Sequence, residues 1–235
     1  MRNDSKGIPS EVEYILVYSK RADWNPKKLP RTEELDSKYK NPDNDEKGAW
    51  QNTSAFAPGG ASHQGMVYAI QHPFTGKMLY PTMDAHWRYS QEAMLEYMNG
   101  WTSYCLVDLQ DDDERAKVCG LEASAVRKGV QAIVLEKPLK VAQLEAKEVY
   151  ERGNWPRFYF TGGGKGGIRR KTYLDKVGGM PATNLWQFSD VGHTDEAAKT
   201  LRAIFNGRAA FDTPKPYRLV ERILQIAADE DSIIL

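Results

Sequence analysis

Residues 157–174 read RFYFTGGGKGGIRRKTYL, and this stretch restricts the architecture more than any other. Two runs rich in aromatic and β-branched residues flank a segment, Thr161 to Gly167, in which glycine dominates. Strand-forming residues on both sides of a stretch that no helix tolerates predict a β-hairpin with a glycine tip. A second hairpin is expected nearby, with arms Met66 to Gln71 and Lys77 to Tyr80 and HPFTG as the turn. A chain with such hairpins must bury antiparallel pairs.

Helical patterns are interleaved with these arms. One short helix is expected around Thr32 to Tyr39, inside a polar, turn-rich stretch from Lys20 to Gly60, and Ala57 to Gly65 reads as loop. Ser90 caps a helix with Met94, Leu95 and Met98 inward, closing near Gly100. Residues 111–152, rich in Ala, Leu, Glu and Lys, predict two helices split near Lys137-Pro138. In the second, Leu139, Ala142, Ala146 and Val149 share a face and Gly153 is the C-cap. Thr194 is placed as the N-cap of another helix, ended by Gly207.

Two segments read as strands buried on both faces: Val12 to Ser19 (VEYILVYS) and the closing run Ile233-Ile234-Leu235. The closing run follows a helix with Thr213 as N-cap, Pro214 and Pro216 in its first turn, and an apolar face of Leu219, Val220, Ile223, Leu224 and Ala227. There is no internal repeat, and regular βαβ alternation is absent until this last segment. The expected fold class is therefore α+β: a mixed body of hairpins and helices joined to a fragment of an α/β sheet.

Thirty-two basic residues balance thirty-two acidic ones, so any contact with nucleic acid must come from a local patch. Lys165, Arg169, Arg170 and Lys171 supply such a patch on the hairpin, where arginines can follow phosphates or read guanine edges. A charged, solvated strand edge is the plainer reading of the same residues. Trp87 and Arg88, with Tyr89, offer stacking groups, though structural aromatics are commoner. The glycine loop does not fit a phosphate-binding loop, because Lys165 is followed by two glycines and then a returning strand instead of Ser or Thr opening a helix. Asp111 to Glu114 reads as helix-start carboxylates, and His63, His72, His86 and His193 have no metal-ligand spacing. Cys105 and Cys119 form no disulfide framework and no CxxC pair. No apolar leader or membrane-length run occurs, which gives a cytoplasmic location as the expectation.

Several segments, in order, resemble the modification subunits of type III restriction–modification systems, adenine-specific (N6) DNA methyltransferases of the β-ordered class. They are EYILVYSK (Glu13 to Lys20), KYKNPDNDEKGAW (Lys38 to Trp50), HPFTGKMLYP (His72 to Pro81) with HWRYS (His86 to Ser90), RRKTYL (Arg169 to Leu174) with NLW (Asn184 to Trp186), DVGHTDEAAKTL (Asp190 to Leu201) and FDTPKPYRLVERIL (Phe211 to Leu224). The stretch Tyr104 to Trp155 is longer than its counterpart in that family. The resemblance implies a strand and polar linker over 1–41, a target-recognition region over 42–189 with a helical insertion around 104–155, and helices bordering the cofactor site over 190–235. It places Thr213 and Lys215 nearest S-adenosylmethionine, makes double-stranded DNA the partner, and adds a restriction subunit or a second copy as possible companions. The family's Asp-Pro-Pro-Tyr motif and its glycine-rich cofactor loop do not occur in these 235 residues. The expectation is accordingly a DNA-recognition portion without turnover of its own. Two rival readings stand beside it: a stand-alone DNA-binding or assembly module completing a methyltransferase in trans, and an unrelated nucleotide-binding enzyme.

Overall fold

The computed structural model describes residues 12–234. The chain divides into two compact units, one of Arg31–Gly178 and one of the described parts of Met1–Pro30 and Gly179–Leu235. Helices and several small sheets coexist, as an α+β fold requires.

The larger unit opens with a short helix, α1 (Glu33–Asp36), whose N-cap Thr32 accepts from the Leu35 amide. Strands β1 (Trp50–Ser54) and β2 (Phe56–Pro58) follow, then β3 (Ile70–Gln71), β4 (Met78–Leu79) and β5 (Ala85–Trp87). The HPFTG hairpin forms, with Ile70 opposite Leu79 and Gln71 opposite Met78, but its arms are two residues each, shorter than expected, and Met66 belongs to a tight turn over Gln64–Met66. Helix α2 (Gln91–Met98) starts at Ser90, whose Oγ accepts from the Ala93 amide, and Met94 and Met98, one turn apart, are fully buried.

Residues 104–135 depart from the helical expectation. Helix α3 (Asp112–Cys119) is present, but β6 (Tyr104–Val107) and β7 (Ala132–Leu135) are strands. They complete a sheet of order β4-β3-β7-β6, in which β3 and β7 run parallel and the other pairs antiparallel. Four-residue apolar runs such as AIVL carry too few positions for periodicity to separate helix from strand. Helix α4 (Leu139–Arg152) follows as expected, burying Ala142 and Ala146.

The glycine-tipped hairpin consists of β8 (Phe158–Phe160) and β9 (Ile168–Tyr173), joined through a single turn, α5 (Thr161–Gly164), in which Gly162 and Gly163 take left-handed backbone (φ 58° and 67°) instead of right-handed helix. Strand β9 lies between β8 and β1, antiparallel to both, and β2 pairs with β5 as a two-stranded sheet. Where these layers meet, Trp50, Tyr68, Trp87, Trp101, Phe158 and Phe160 form one aromatic core. Trp101 donates its indole N–H to the Phe158 carbonyl (2.9 Å) and Trp87 to that of Tyr68 (2.8 Å), so their polar edges are satisfied.

Gly153, the C-cap of α4, has φ +83°, and a Cβ there would lie 2.4 Å from the Asp43 carbonyl oxygen. Gly153→Ala is therefore expected to destabilise the unit by about 2–4 kcal/mol, from left-handed backbone strain plus a backbone clash. A fall in the urea midpoint at unchanged m would register it; a loss below about 1 kcal/mol would show that the loop carrying Asp43 gives way freely.

In the smaller unit, helices α6 (Phe188–Val191), α7 (Thr194–Ile204) and α8 (Tyr217–Ala227) are tied by Arg218. Its guanidinium holds both carboxylate oxygens of Glu196 (3.0 and 2.8 Å) and donates to the Ser189 carbonyl (2.9 Å). Three expectations are corrected here. Helix α8 starts at Tyr217, after both prolines, and Thr213 does not cap it: a proline disfavours helical backbone in the residue before it, and Lys215, which precedes Pro216, lies outside the helix. Helix α7 is capped by His193, whose Nδ1 accepts from the Glu196 amide, and Thr194 is its first helical residue. Val12–Ser19 and Ile233-Ile234 form no strand among the described residues; Tyr14 and Tyr18 are 84% and 85% exposed and Ile233 87%. A strand buried on both faces needs a neighbour on each edge, and neither segment has one there. Leu235 lies outside the described residues.

Candidate nucleic-acid interface

The cations of strand β9 differ in burial even though Arg169 and Lys171, two residues apart, share a face of the sheet. Lys171 is fully buried, which corrects its assignment to an exposed basic patch. Its ammonium binds Asp43 and Asp45 (2.5 Å each) and the Trp155 carbonyl (2.7 Å), using all three donors. The carboxylates are held in turn: Asp43 accepts from the Trp50 indole (2.8 Å) and the Trp155 amide (2.7 Å), and Asp45 from the Tyr173 hydroxyl (2.7 Å). Burial alone pushes the Asp45 carboxyl up, but hydrogen bonds from Lys171, the Lys47 amide and Tyr173 hold it below the ordinary carboxylate range. This cluster fastens the NPDND loop to the sheet and leaves nothing for a ligand. Trp87 likewise belongs to the core, only 2% exposed, and has no face free for stacking on a base.

Arg169, Arg170, Arg88 and Lys165 behave differently. Arg169, Arg88 and Lys165 are exposed, and Arg170 is half-buried with its Nε donating to Thr53 Oγ1 (3.4 Å). Arg169 lies opposite Ser54 on β1. One residue on, the Ala55 carbonyl accepts from the Arg88 amide (3.1 Å). The step from β1 to β2 thus brings Arg88 beside the start of β9, although the two are far apart in sequence. None of these four cations forms an ion pair among the described residues.

The glycine tip is held by His72, a residue with no assigned role from sequence. Its Nδ1 accepts from the Phe74 (3.1 Å) and Thr75 (3.3 Å) amides, so the ring is neutral with its proton on Nε2, which donates to the Gly166 carbonyl (3.1 Å). Burial lowers the His72 pKa. A group whose folded pKa lies below its unfolded value of about 6.5 stabilises fully above that pH and loses the contribution as pH falls through it. Stability is therefore expected to decline from about pH 6.5 downward, before carboxylates titrate, and His72→Gln should flatten that part of the profile. Thermal melts of both proteins between about pH 7 and 5 check this; parallel profiles would assign the decline elsewhere.

No protein-family model matches the chain, and neither does any solved structure. One curated protein does. Over 78 residues the chain is 38% identical to the type III restriction-modification enzyme StyLTI Mod subunit of Salmonella typhimurium strain LT2. The alignment covers 33% of this chain but 11% of that subunit.

The remaining sequence candidates are dispersed. Thr213 and Lys215 are exposed in the smaller unit, Lys215 pairing with Glu13 (2.7 Å). The acidic run is divided among partners: Asp111 accepts from Tyr80 (2.6 Å), Asp112 pairs with Arg115 and Lys128, and Glu114 with Lys117 (2.6 Å). Among the described residues no three His, Cys, Asp or Glu side chains gather as a metal site, and no helix is long and apolar enough to cross a membrane. Arg157 was missed from sequence; its guanidinium lies 5.5 Å from the Tyr89 ring centre, and its buried Nε has no partner. The only advance signal was its position at the mouth of the hairpin.

Proposed function

We propose that this chain is the DNA-recognition portion of a site-specific adenine-N6 methyltransferase of the type III restriction–modification kind, using S-adenosylmethionine. The observation that carries the reading is the gathering of Arg88, Lys165, Arg169 and Arg170, all without carboxylate partners among the described residues, around one glycine-tipped hairpin. Cations left unpaired in a chain of zero net charge are available to phosphates and guanine edges. The partial identity with a Mod subunit supports the same reading. In it, 42–189 is the recognition region and 190–235 borders the cofactor, with Thr213 and Lys215 nearest the bound S-adenosylmethionine. Nothing in the 235 residues matches the Asp-Pro-Pro-Tyr motif that would hold the target amino group. The chain should accordingly bind duplex DNA in gel-shift assays while transferring no labelled methyl group from S-adenosylmethionine. Absence of binding at low salt would end the proposal, and unaided methylation would end its division of labour.

A second reading, an assembly module that completes the enzyme in trans, draws on the smaller unit. There Val220 and Leu224 on α8, with Phe188, Ile204 and Phe211, are exposed apolar side chains. A restriction subunit, the rest of a methyltransferase or a second copy could cover them. Co-expression with a chain bearing the two absent motifs should then yield a stable, active complex; independent migration on a sizing column would remove this reading.

A further inference from the structure

Arg157 stands at the mouth of the glycine-tipped hairpin with its backbone and its guanidinium both held. Its carbonyl accepts from the Lys171 amide (2.8 Å), which fastens the chain to β9 just ahead of β8. Its guanidinium lies 5.5 Å from the centre of the Tyr89 ring. That ring is wedged in turn: Phe158 and Tyr97 meet it edge to face at 5.3 and 5.8 Å, and the Tyr89 carbonyl accepts from the Tyr68 hydroxyl (2.9 Å). A guanidinium laid on a fixed ring keeps one direction, whereas an exposed basic side chain sweeps through many. The donors of Arg157 are unequal. Nε is buried with no partner, so hydrogen bonding within the chain does not explain why the group is held there. Nη1 and Nη2 reach the surface of this half-buried residue and donate to nothing among the described residues, where no carboxylate pairs with them either.

Nη1–H and Nη2–H form the end-on fork of a guanidinium, spaced for two acceptors on one rigid edge. The exposed Arg88, Lys165 and Arg169 can each meet a phosphate from many directions. A guanine edge is more demanding, because its O6 and N7 accept together only from a fork held in the plane of the base. We infer that Arg157 reads a guanine in bound duplex DNA, its Nη1–H and Nη2–H donating to O6 and N7 in the major groove, with Tyr89 as the positioning residue that aims it. The inference rests on the DNA-reading function proposed above and adds to it one base of the recognised sequence. Arg170 is its neighbour there, opposite Phe158 in the hairpin, and the exposed cations supply the backbone contacts.

Duplexes selected by the full chain from a random pool should share an invariant guanine. Replacing it with 7-deazaguanine removes the N7 acceptor and keeps the base pair, and is expected to weaken binding by the unaltered chain about tenfold. Arg157→Lys keeps the charge and loses the fork. It should bind the selected duplex about tenfold more weakly and unrelated duplexes within about twofold of the parent chain. It should also abolish the 7-deazaguanine penalty at that one guanine and leave any penalty at other guanines in place, which a general structural defect would not do. Tyr89→Leu leaves the guanidinium but frees it, and should reduce the same penalty by a smaller factor. Selected sequences without an invariant guanine, or a penalty that Arg157→Lys retains at every guanine, overturn the inference while the DNA-reading function stands. Equal loss on all duplexes with a shallower salt dependence makes Arg157 a phosphate contact and likewise overturns it. Failure to bind any duplex overturns both.

Discussion

Lys171→Met is expected to cost about 3–5 kcal/mol of folding stability, because it strands two buried carboxylates that the lysine alone neutralises. Asp43 and Asp45 are both almost fully buried, and the remaining partners of their side chains are an indole, two backbone amides and a phenol, all neutral. A methionine fills similar volume, so the loss is electrostatic and not a cavity effect. Urea unfolding should show a lower midpoint at pH 7 and partial recovery as pH falls, since protonating the orphaned carboxylates relieves their repulsion. In the parent protein the sign is opposite: Asp45, with its pKa held down, stabilises above the ordinary carboxylate value and loses this as pH drops through it. Asp43→Asn and Asp45→Asn introduced together with Lys171→Met should restore only part of the stability, because an amide is a weaker acceptor for Trp50 and Tyr173. A loss below about 1 kcal/mol for Lys171→Met would mean that the cluster is wet, and that the NPDND loop opens readily.

This cluster also shows where sequence reasoning lost its hold. RRK is three cations in a row, and nothing local distinguishes the third from the first. What distinguishes it is register: Lys171 faces Asn52 on β1 and lies over the loop carrying Asp43 and Asp45, well over a hundred positions away. A one-residue shift of that pairing would have buried a different side chain. The hairpins, by contrast, were legible because their information is local, in HPFTG and in the glycine tip flanked by aromatic runs. The caps of α2 and α4 were legible for the same reason, with Ser90 and Gly153 each next to a helical apolar stripe. Strands β6 and β7 were not, since a run of four apolar residues takes its identity from the sheet it joins. His72 escaped notice because a lone histidine states nothing about the carbonyl it will meet, here on the far hairpin at Gly166. At the proposed interface, the sequence named Arg88, Lys165, Arg169 and Arg170, but only the step from β1 to β2 explains why Arg88 belongs beside the others.

If those four cations each neutralise a phosphate, the salt dependence of binding is set in advance. Each displaced counterion contributes about −0.9 to the slope of log K against log salt, giving about −3.6 in all and a roughly hundredfold loss of affinity between about 50 and 200 mM. Arg169→Ala/Arg170→Ala should lower the slope by about 1.8 and weaken binding at low salt by tenfold or so, independently of DNA sequence if both arginines contact only phosphates. A loss confined to particular sequences would instead place one of them on a base edge, where a bidentate contact to guanine discriminates by about 1–3 kcal/mol. Arg170 is the better candidate for a fixed role, because Thr53 already orients its guanidinium, whereas Arg169 is exposed at the end of its strand. The two single variants separate these possibilities. Arg169→Ala should change the slope alone, and Arg170→Ala should change the ranking of duplexes as well. Unaltered slope and affinity in the double variant would remove the hairpin from the DNA path, and leave Arg88 and Arg157 without the neighbours that give them meaning.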